Sequence, residues 1–193
     1  KVSFPAEFHA QTAAEAAIIL SSEVKGKIHD IEKIEIHTQE PGVRIISKKG
    51  PLNNYADRDH CIEYIVAWCL LNGNLDSNSY SDSSASDENI DKLRELTNTV
   101  EDQAYTLKYY DLDERAIPNK VIVSMNTGEV FEKEVVYPLG HKNRRAESLP
   151  FLKEKFQNSV QRSTFKMDEL MKFYDEKNLD SINIYALLNC IYK

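Results

Sequence analysis

At 193 residues, 41% of them hydrophobic, the chain is long enough to bury a real core and is expected to form one domain over residues 1–193. Its 24 Lys and Arg against 31 Asp and Glu leave a net charge of −7, which argues against a nucleic-acid partner and against an anionic membrane. Cys61, Cys69 and Cys190 show no CxxC or CxxxH spacing, so reduced, buried thiols are expected rather than a zinc or iron–sulfur site.

Residues 10–25 carry apolar side chains at helical spacing, with Gly26 placed to close the helix. Residues 31–38 alternate as a strand does, with Ile34, Ile36 and Thr38 on one face and Glu35 and His37 on the other. A short helix is expected over 42–48. Residues 57–72 predict the most apolar helix, capped by Asp57 and ended by Gly73; Glu63 is the one charge between Cys61 and Leu71, so burial on most sides is expected. The Ser/Asn/Asp-rich stretch 74–86 reads as a mobile polar loop, followed by a helix over 88–96. Residues 119–125 and 129–137 predict a β-hairpin around Asn126-Thr127-Gly128. Short helices around 150–161, 166–176 and 181–191 finish the chain. Strands and helices mix without regular βαβ alternation, which predicts an α+β fold: a small, mostly antiparallel sheet including the hairpin, packed with several helices.

No stretch approaches the roughly 20 apolar residues of a membrane span, and no signal-peptide pattern is present. The chain opens at Lys1, inside a motif, and reads as a fragment. Nucleotide-binding glycine loops, the GxSxG elbow and HExxH are all missing from the sequence.

Three segments place a histidine beside a boundary between a loop and a regular element. His9 precedes the first helix, where the positive end of the helix dipole favours a neutral, proton-accepting imidazole. On residue types alone, a capping or core role for His9 is the stronger reading. Arg44, Lys48 and Lys49 lie before the Gly50-Pro51 turn; they suit carboxylate binding or a solvated helix end, and spacing does not choose which lysine faces inward. Asp57, His60 and Tyr64 would share a helix face. There Arg58 suits a carboxylate and His60 a proton, whereas capping or pairing serves Asp57 and Asp59 at least as well. His141 follows Gly140, which aims the next side chain or simply opens an exposed basic loop; for Arg144 and Arg145 the exposed loop is the better reading. His29 and His37 read as structural or solvated, and Trp68 as core.

The runs FPAEFHAQTAAEAA (residues 4–17), KKGPLNN (48–54) with ADRDHCIEY (56–64), and YPLGH (137–141) with the basic residues after it resemble the 2-methylcitrate dehydratase (MmgE/PrpD) family in order and spacing. The likeness extends over essentially the whole chain and weakens after about Arg145. It implies an enzyme of two domains, a larger all-helical one and a smaller α+β lid near the C-terminus; this chain looks like the lid, without the helical domain that carries most catalytic residues. It further implies loss of water from a tricarboxylate in propionate breakdown, in the cytoplasm or the mitochondrial matrix, by a homodimer needing neither metal nor organic cofactor. His9 then becomes the proton-transfer residue, and Lys48, Lys49, Arg58, His60 and His141 become substrate-binding residues, with His9, the lysine pair and Arg58 expected on one concave wall. Three rivals stand beside this reading: a cis-aconitate decarboxylase of the same family, a family member acting on another hydroxy-polycarboxylate, and a non-catalytic module that only binds a partner subunit or the helical domain.

Overall fold

The computed structural model describes residues 2–161 together with residues 183, 185, 188 and 189. The chain divides into two compact units, one over Ser3–Arg144 and one from Arg145 onward. The fold is α+β.

The first unit is built on a four-stranded sheet in the order β2-β1-β3-β4, from β1 (Ile31–Thr38), β2 (Thr97–Glu101), β3 (Asn119–Met125) and β4 (Val130–Val135). β1 runs parallel to β2 and antiparallel to β3, and β3 antiparallel to β4. The expected alternation holds in β1. Ile34, Ile36 and Thr38 are buried, and Glu35 and His37 point to the other face. Register sets Ile34 beside Val123 and Ile36 beside Val121, so the inward residues of both central strands form one apolar surface. Each such aliphatic side chain gains about 1.5–3 kcal/mol on full burial. The outer strand β4 carries Glu132, Lys133 and Glu134, charges that discourage pairing with another chain along that edge.

Helices cover the apolar face. In α1 (Gln11–Val24), Ala13, Ala14, Ala16 and Ala17 are wholly buried, and these small side chains let the helix approach α4 (Ile62–Asn72) and strands β3 and β4 closely. Gly26, at φ 77°, takes the left-handed conformation after α1 that alanine or a larger residue would resist. α6 (Glu88–Leu96) packs Ile90 and Leu93 against α4, β1 and β2. The hairpin turn at 126–128 closes as expected, with Gly128 N–H donating to Met125 C=O at 2.9 Å.

Several elements depart from the sequence reading. The helix expected over 42–48 is α2 (Glu40–Ile46); it starts earlier because Pro41 suits a first helical turn. The helix expected over 57–72 is two, α3 (Tyr55–Asp59) and α4, separated at His60-Cys61, where Cys61 is extended (φ −126°, ψ 107°). Asp57 does not cap it. The Asn54 side chain caps α3 by accepting the Asp57 N–H, and the Asp57 carboxylate instead accepts the Asn53 N–H at 3.0 Å. The break also leaves the Asp59 carbonyl free to accept the Glu7 N–H at 3.1 Å. Asp57, His60 and Tyr64 therefore do not lie on one continuous helix.

The stretch 74–86 is ordered into a 3-10 turn, Ser77–Tyr80, and the short α5 (Asp82–Ala85). Asp76 and Ser79 form a reciprocal capping box, and Tyr80 is fully buried beside Tyr64 and Tyr55. Strand β2 and the helix after it, α7 (Gln103–Tyr110), have no counterpart in the expectations. In the second unit, α8 (Arg145–Gln161) begins earlier than the helix expected around 150–161 and accommodates Pro150 within it. The helices expected over 166–176 and 181–191 lie outside the described residues, apart from single positions of the latter.

Candidate active site

The segment carrying His9 is fixed from below by Gln11, whose side-chain amide donates to the carbonyls of Phe4 (3.0 Å) and Ala6 (2.9 Å). Asn119 of β3 donates to the His9 carbonyl at 2.8 Å. Glu7 caps the 3-10 turn Phe8–Ala10 by accepting the His9 N–H at 2.7 Å, and the same carboxylate meets His9 Nδ1 at 3.0 Å. His9 is buried, at 8% exposure. Its other ring nitrogen, Nε2, lies 3.1 Å from the hydroxyl of Tyr109 on α7. A carboxylate only accepts, so the neutral ring carries its proton on Nδ1 and presents a lone pair at Nε2 to the Tyr109 hydroxyl. Burial by itself would raise the Glu7 carboxyl. The hydrogen bonds from the His9 ring and backbone outweigh it and hold the carboxyl below its ordinary value. The helix dipole expected to act on His9 is thus joined by a nearer group, Glu7.

The cationic candidates gather elsewhere. Lys48 and Lys49 line a cavity of about 340 Å³ with Gly50, Pro51, Asp91, Arg94 and Glu95. Lys49 Nζ donates to the Thr97 carbonyl at 2.6 Å, and Lys48 Nζ lies 4.0 Å from Asp57. Arg58 lines a second cavity of about 240 Å³ that shares Pro51, Asp91 and Arg94 with the first. It is only 6% exposed. Its Nη1 donates to the Tyr80 carbonyl and to Asp82, both at 2.7 Å, while Nε lacks a partner. The lysine pair and Arg58 are therefore brought together around Arg94. His9 lines neither cavity; its link to this region is the Glu7 N–H bond to Asp59. Arg44 is exposed, donates to Glu40 at 2.6 Å and lines neither cavity.

The loop that presents the lysines is held by Glu63. This fully buried carboxylate accepts from the Ser47 hydroxyl (2.6 Å), the Thr99 hydroxyl (2.8 Å), the Lys48 N–H (3.1 Å) and the Cys61 thiol (3.4 Å). His60 is exposed, with Nδ1 2.5 Å from Asp59. His141 stacks on Tyr137. Its Nε2 meets the Glu114 carbonyl at 3.0 Å, and its Nδ1 accepts the Asn143 N–H at 3.2 Å, so both ring nitrogens are engaged within the protein. Arg144 does not extend into solvent as an exposed basic loop would: it grips Glu15 with two 2.9 Å bonds and donates to the Tyr137 carbonyl.

Four residues of this region carry no role in the sequence reading: Glu7, Glu63, Arg94 and Tyr109. Glu63 had a visible signal, a lone charge in an apolar run. Tyr109 had none, lying 100 positions from the histidine it meets. Among the described residues, no group of three or more His, Cys, Asp or Glu is placed to hold a metal ion, and no helix is long and apolar enough to cross a membrane.

Residues 4–179 match the MmgE/PrpD C-terminal domain. The chain is 47% identical over 188 residues to the mitochondrial 2-methylcitrate dehydratase of Yarrowia lipolytica, covering 95% of the chain and 36% of that protein. It is 51% identical over 166 residues to the 2-methylcitrate dehydratase of Escherichia coli K12, covering 84% of the chain and 34% of that enzyme. A probable 2-methylcitrate dehydratase of Saccharomyces cerevisiae is 46% identical over 193 residues, 95% of the chain and 37% of that protein. The chain thus spans about a third of the length of these relatives.

Proposed function

The chain belongs to the MmgE/PrpD family, matching its C-terminal domain, and from that premise we propose that it is the lid of a hydro-lyase that removes water from 2-methylcitrate to give 2-methyl-cis-aconitate in propionate breakdown. The observation that carries the reading is His9, buried with Nδ1 on Glu7 and its accepting nitrogen on the hydroxyl of half-buried Tyr109, in a chain close to half identical to dehydratases.

Dehydration of a hydroxy-tricarboxylate needs a base beside the carbon that loses its proton, an acid for the departing hydroxyl, and cations for the carboxylates. His9 takes the proton. The imidazolium so formed sits 3.0 Å from the Glu7 carboxylate, which stabilises the charge as it appears. Lys48, Lys49 and Arg58 bind carboxylates from the two cavities around Arg94, with His60 at the exposed edge and His141 as a more distant candidate. The acid for the hydroxyl comes from the helical domain. That domain is the lid's partner, and the assembled protein is a homodimer in the cytoplasm or the mitochondrial matrix. The dehydratase names of the relatives rank this reading above decarboxylation of cis-aconitate and above a purely non-catalytic module.

The test is full-length protein supplied with 2-methylcitrate, following the unsaturated product in the ultraviolet. The expected outcome is turnover that His9→Ala lowers by about 10²–10⁴ in kcat while the protein remains folded. The 193-residue chain alone should stay below about 1 per second. Full-length protein that leaves 2-methylcitrate intact refutes the reading, and a His9→Ala variant with normal kcat and a lowered melting temperature makes His9 a structural residue.

A further inference from the structure

We infer that Tyr109 is a further catalytic residue: it is the group through which buried His9 exchanges its proton, so that Glu7, His9 and Tyr109 form one relay with the phenol as its outer member. The inference rests on the proposed role of His9 in proton transfer. Three observations on this chain carry it.

First, His9 has no free ring nitrogen. Nδ1 is taken by Glu7 and Nε2 faces the Tyr109 hydroxyl at 3.1 Å, in a ring that is itself only 8% exposed. A substrate carbon cannot reach Nε2 without displacing the phenol, whereas Tyr109 is itself partly exposed. Second, the tautomer is set by the surroundings. Glu7 fixes the proton on Nδ1, so Nε2 accepts and Tyr109 donates. Third, the phenol ring is held from both sides. It lies 5.5 Å from the His9 ring centroid, and its other neighbour, Tyr110, packs edge-on at 5.1 Å and bonds through its own hydroxyl to Glu40 at 3.2 Å. A ring fixed this way keeps its oxygen on the imidazole instead of turning into solvent.

The step balances as a double proton shift. The C–H bond of the substrate breaks and leaves its electron pair on carbon, and that proton forms a new bond to the Tyr109 oxygen. The proton that oxygen already carried passes to His9 Nε2. The phenol ends neutral and the imidazole ends as imidazolium against the Glu7 carboxylate. A phenol so placed is the immediate proton acceptor, and His9 supplies its basicity.

The test uses full-length protein carrying Tyr109→Phe, His9→Ala and both together. Tyr109→Phe removes one oxygen from a half-buried ring and is expected to fold. On 2-methylcitrate its kcat should fall about 10²-fold, with KM changed by less than about threefold. The double variant should be no slower than His9→Ala by more than about threefold, since residues acting as one unit are not additive. A Tyr109→Phe enzyme with near-normal kcat, or a double variant slowed by the product of the two single effects, overturns the relay. A second readout needs no substrate. In protein labelled with 15N-histidine, Tyr109→Phe should move the His9 Nε2 signal and leave Nδ1 in place; an unmoved Nε2 signal also overturns it. If wild-type protein does not dehydrate 2-methylcitrate, the dehydratase reading falls, and the ring-nitrogen spectra still decide whether Tyr109 and His9 are coupled.

Discussion

Replacing Glu63 by alanine should be among the most damaging single changes in the chain. The carboxylate is fully buried and accepts four donors from three parts of the fold: Ser47 and Lys48 after α2, Cys61 before α4, and Thr99 on β2. Hydrogen bonds to a charged acceptor contribute about 1.5–3 kcal/mol each, and a buried donor left without a partner costs about 1–3 kcal/mol. The two hydroxyls can turn to other acceptors. The Lys48 N–H cannot, and the thiol bond is weak. Against this, removing a buried charge recovers part of its desolvation. The net expectation is a loss of about 3–5 kcal/mol, the range for breaking a buried charged network. Glu63→Gln keeps the volume. Its amide oxygen can face the Lys48 N–H while its NH₂ faces the hydroxyls, which reverse to accept, so about 1–2 kcal/mol is expected. Urea unfolding of both variants measures this. With a slope of about 1–3 kcal/mol per molar, Glu63→Ala should lower the midpoint by about 1 M or more. A loss under about 1 kcal/mol for Glu63→Ala, or equal losses for Ala and Gln, refutes the reasoning.

Acid should expose the contribution of Glu7. Its carboxyl lies below 4.5 in the folded chain, so the native state binds fewer protons than the unfolded one in that window; the stabilisation is complete above 4.5 and is lost as the pH falls through the depressed folded value. The stability gap between wild type and Glu7→Gln should therefore narrow on acidification, as read by urea midpoints across pH, and a gap that does not change with pH contradicts it. Burial, with the Glu63 charge adding to it, pushes the Cys61 thiol up to about 11, and burial alone raises Cys69. Alkylation of both in native protein near pH 8 should run at least about 100-fold slower than in the unfolded chain, measured by peptide mapping; native labelling within about tenfold of the unfolded rate shows the thiols to be accessible.

The elements that a single periodicity governs were legible in the sequence. The alanine-rich α1, the alternating β1, the α6 pattern and the hairpin around Gly128 all match within a residue or two, since local pattern and tertiary burial ask for the same thing there. β2 did not show. Thr97-Asn98-Thr99-Val100-Glu101 has no apolar alternation, and only Thr97 is buried; β1, already in place, makes it a strand by pairing. The break at His60-Cys61 was equally invisible, because neither glycine nor proline marks it, and the chain bends there to meet Glu7. At the candidate site, residue types alone favoured a capping or core His9, and resemblance turned the reading. Glu7 and Tyr109, which define what the ring can do, become visible only when α7 is folded against the first turn.

The strand order has a consequence for how the protein is made. β1 sits inside the sheet, yet both of its neighbours, β2 and β3, come much later in the chain. On the ribosome, Ile34 and Ile36 emerge with no strand to pair with until synthesis has run from Thr38 to Glu101, a delay of roughly 3–13 s at about 5–20 residues per second. During that interval α1 and α4 can already meet, and α6, which packs against both α4 and β1, can then cover the apolar strand as it waits for its partners. Nascent chains stalled before residue 97 should therefore be the form most dependent on chaperones, and those extended past the hairpin the least.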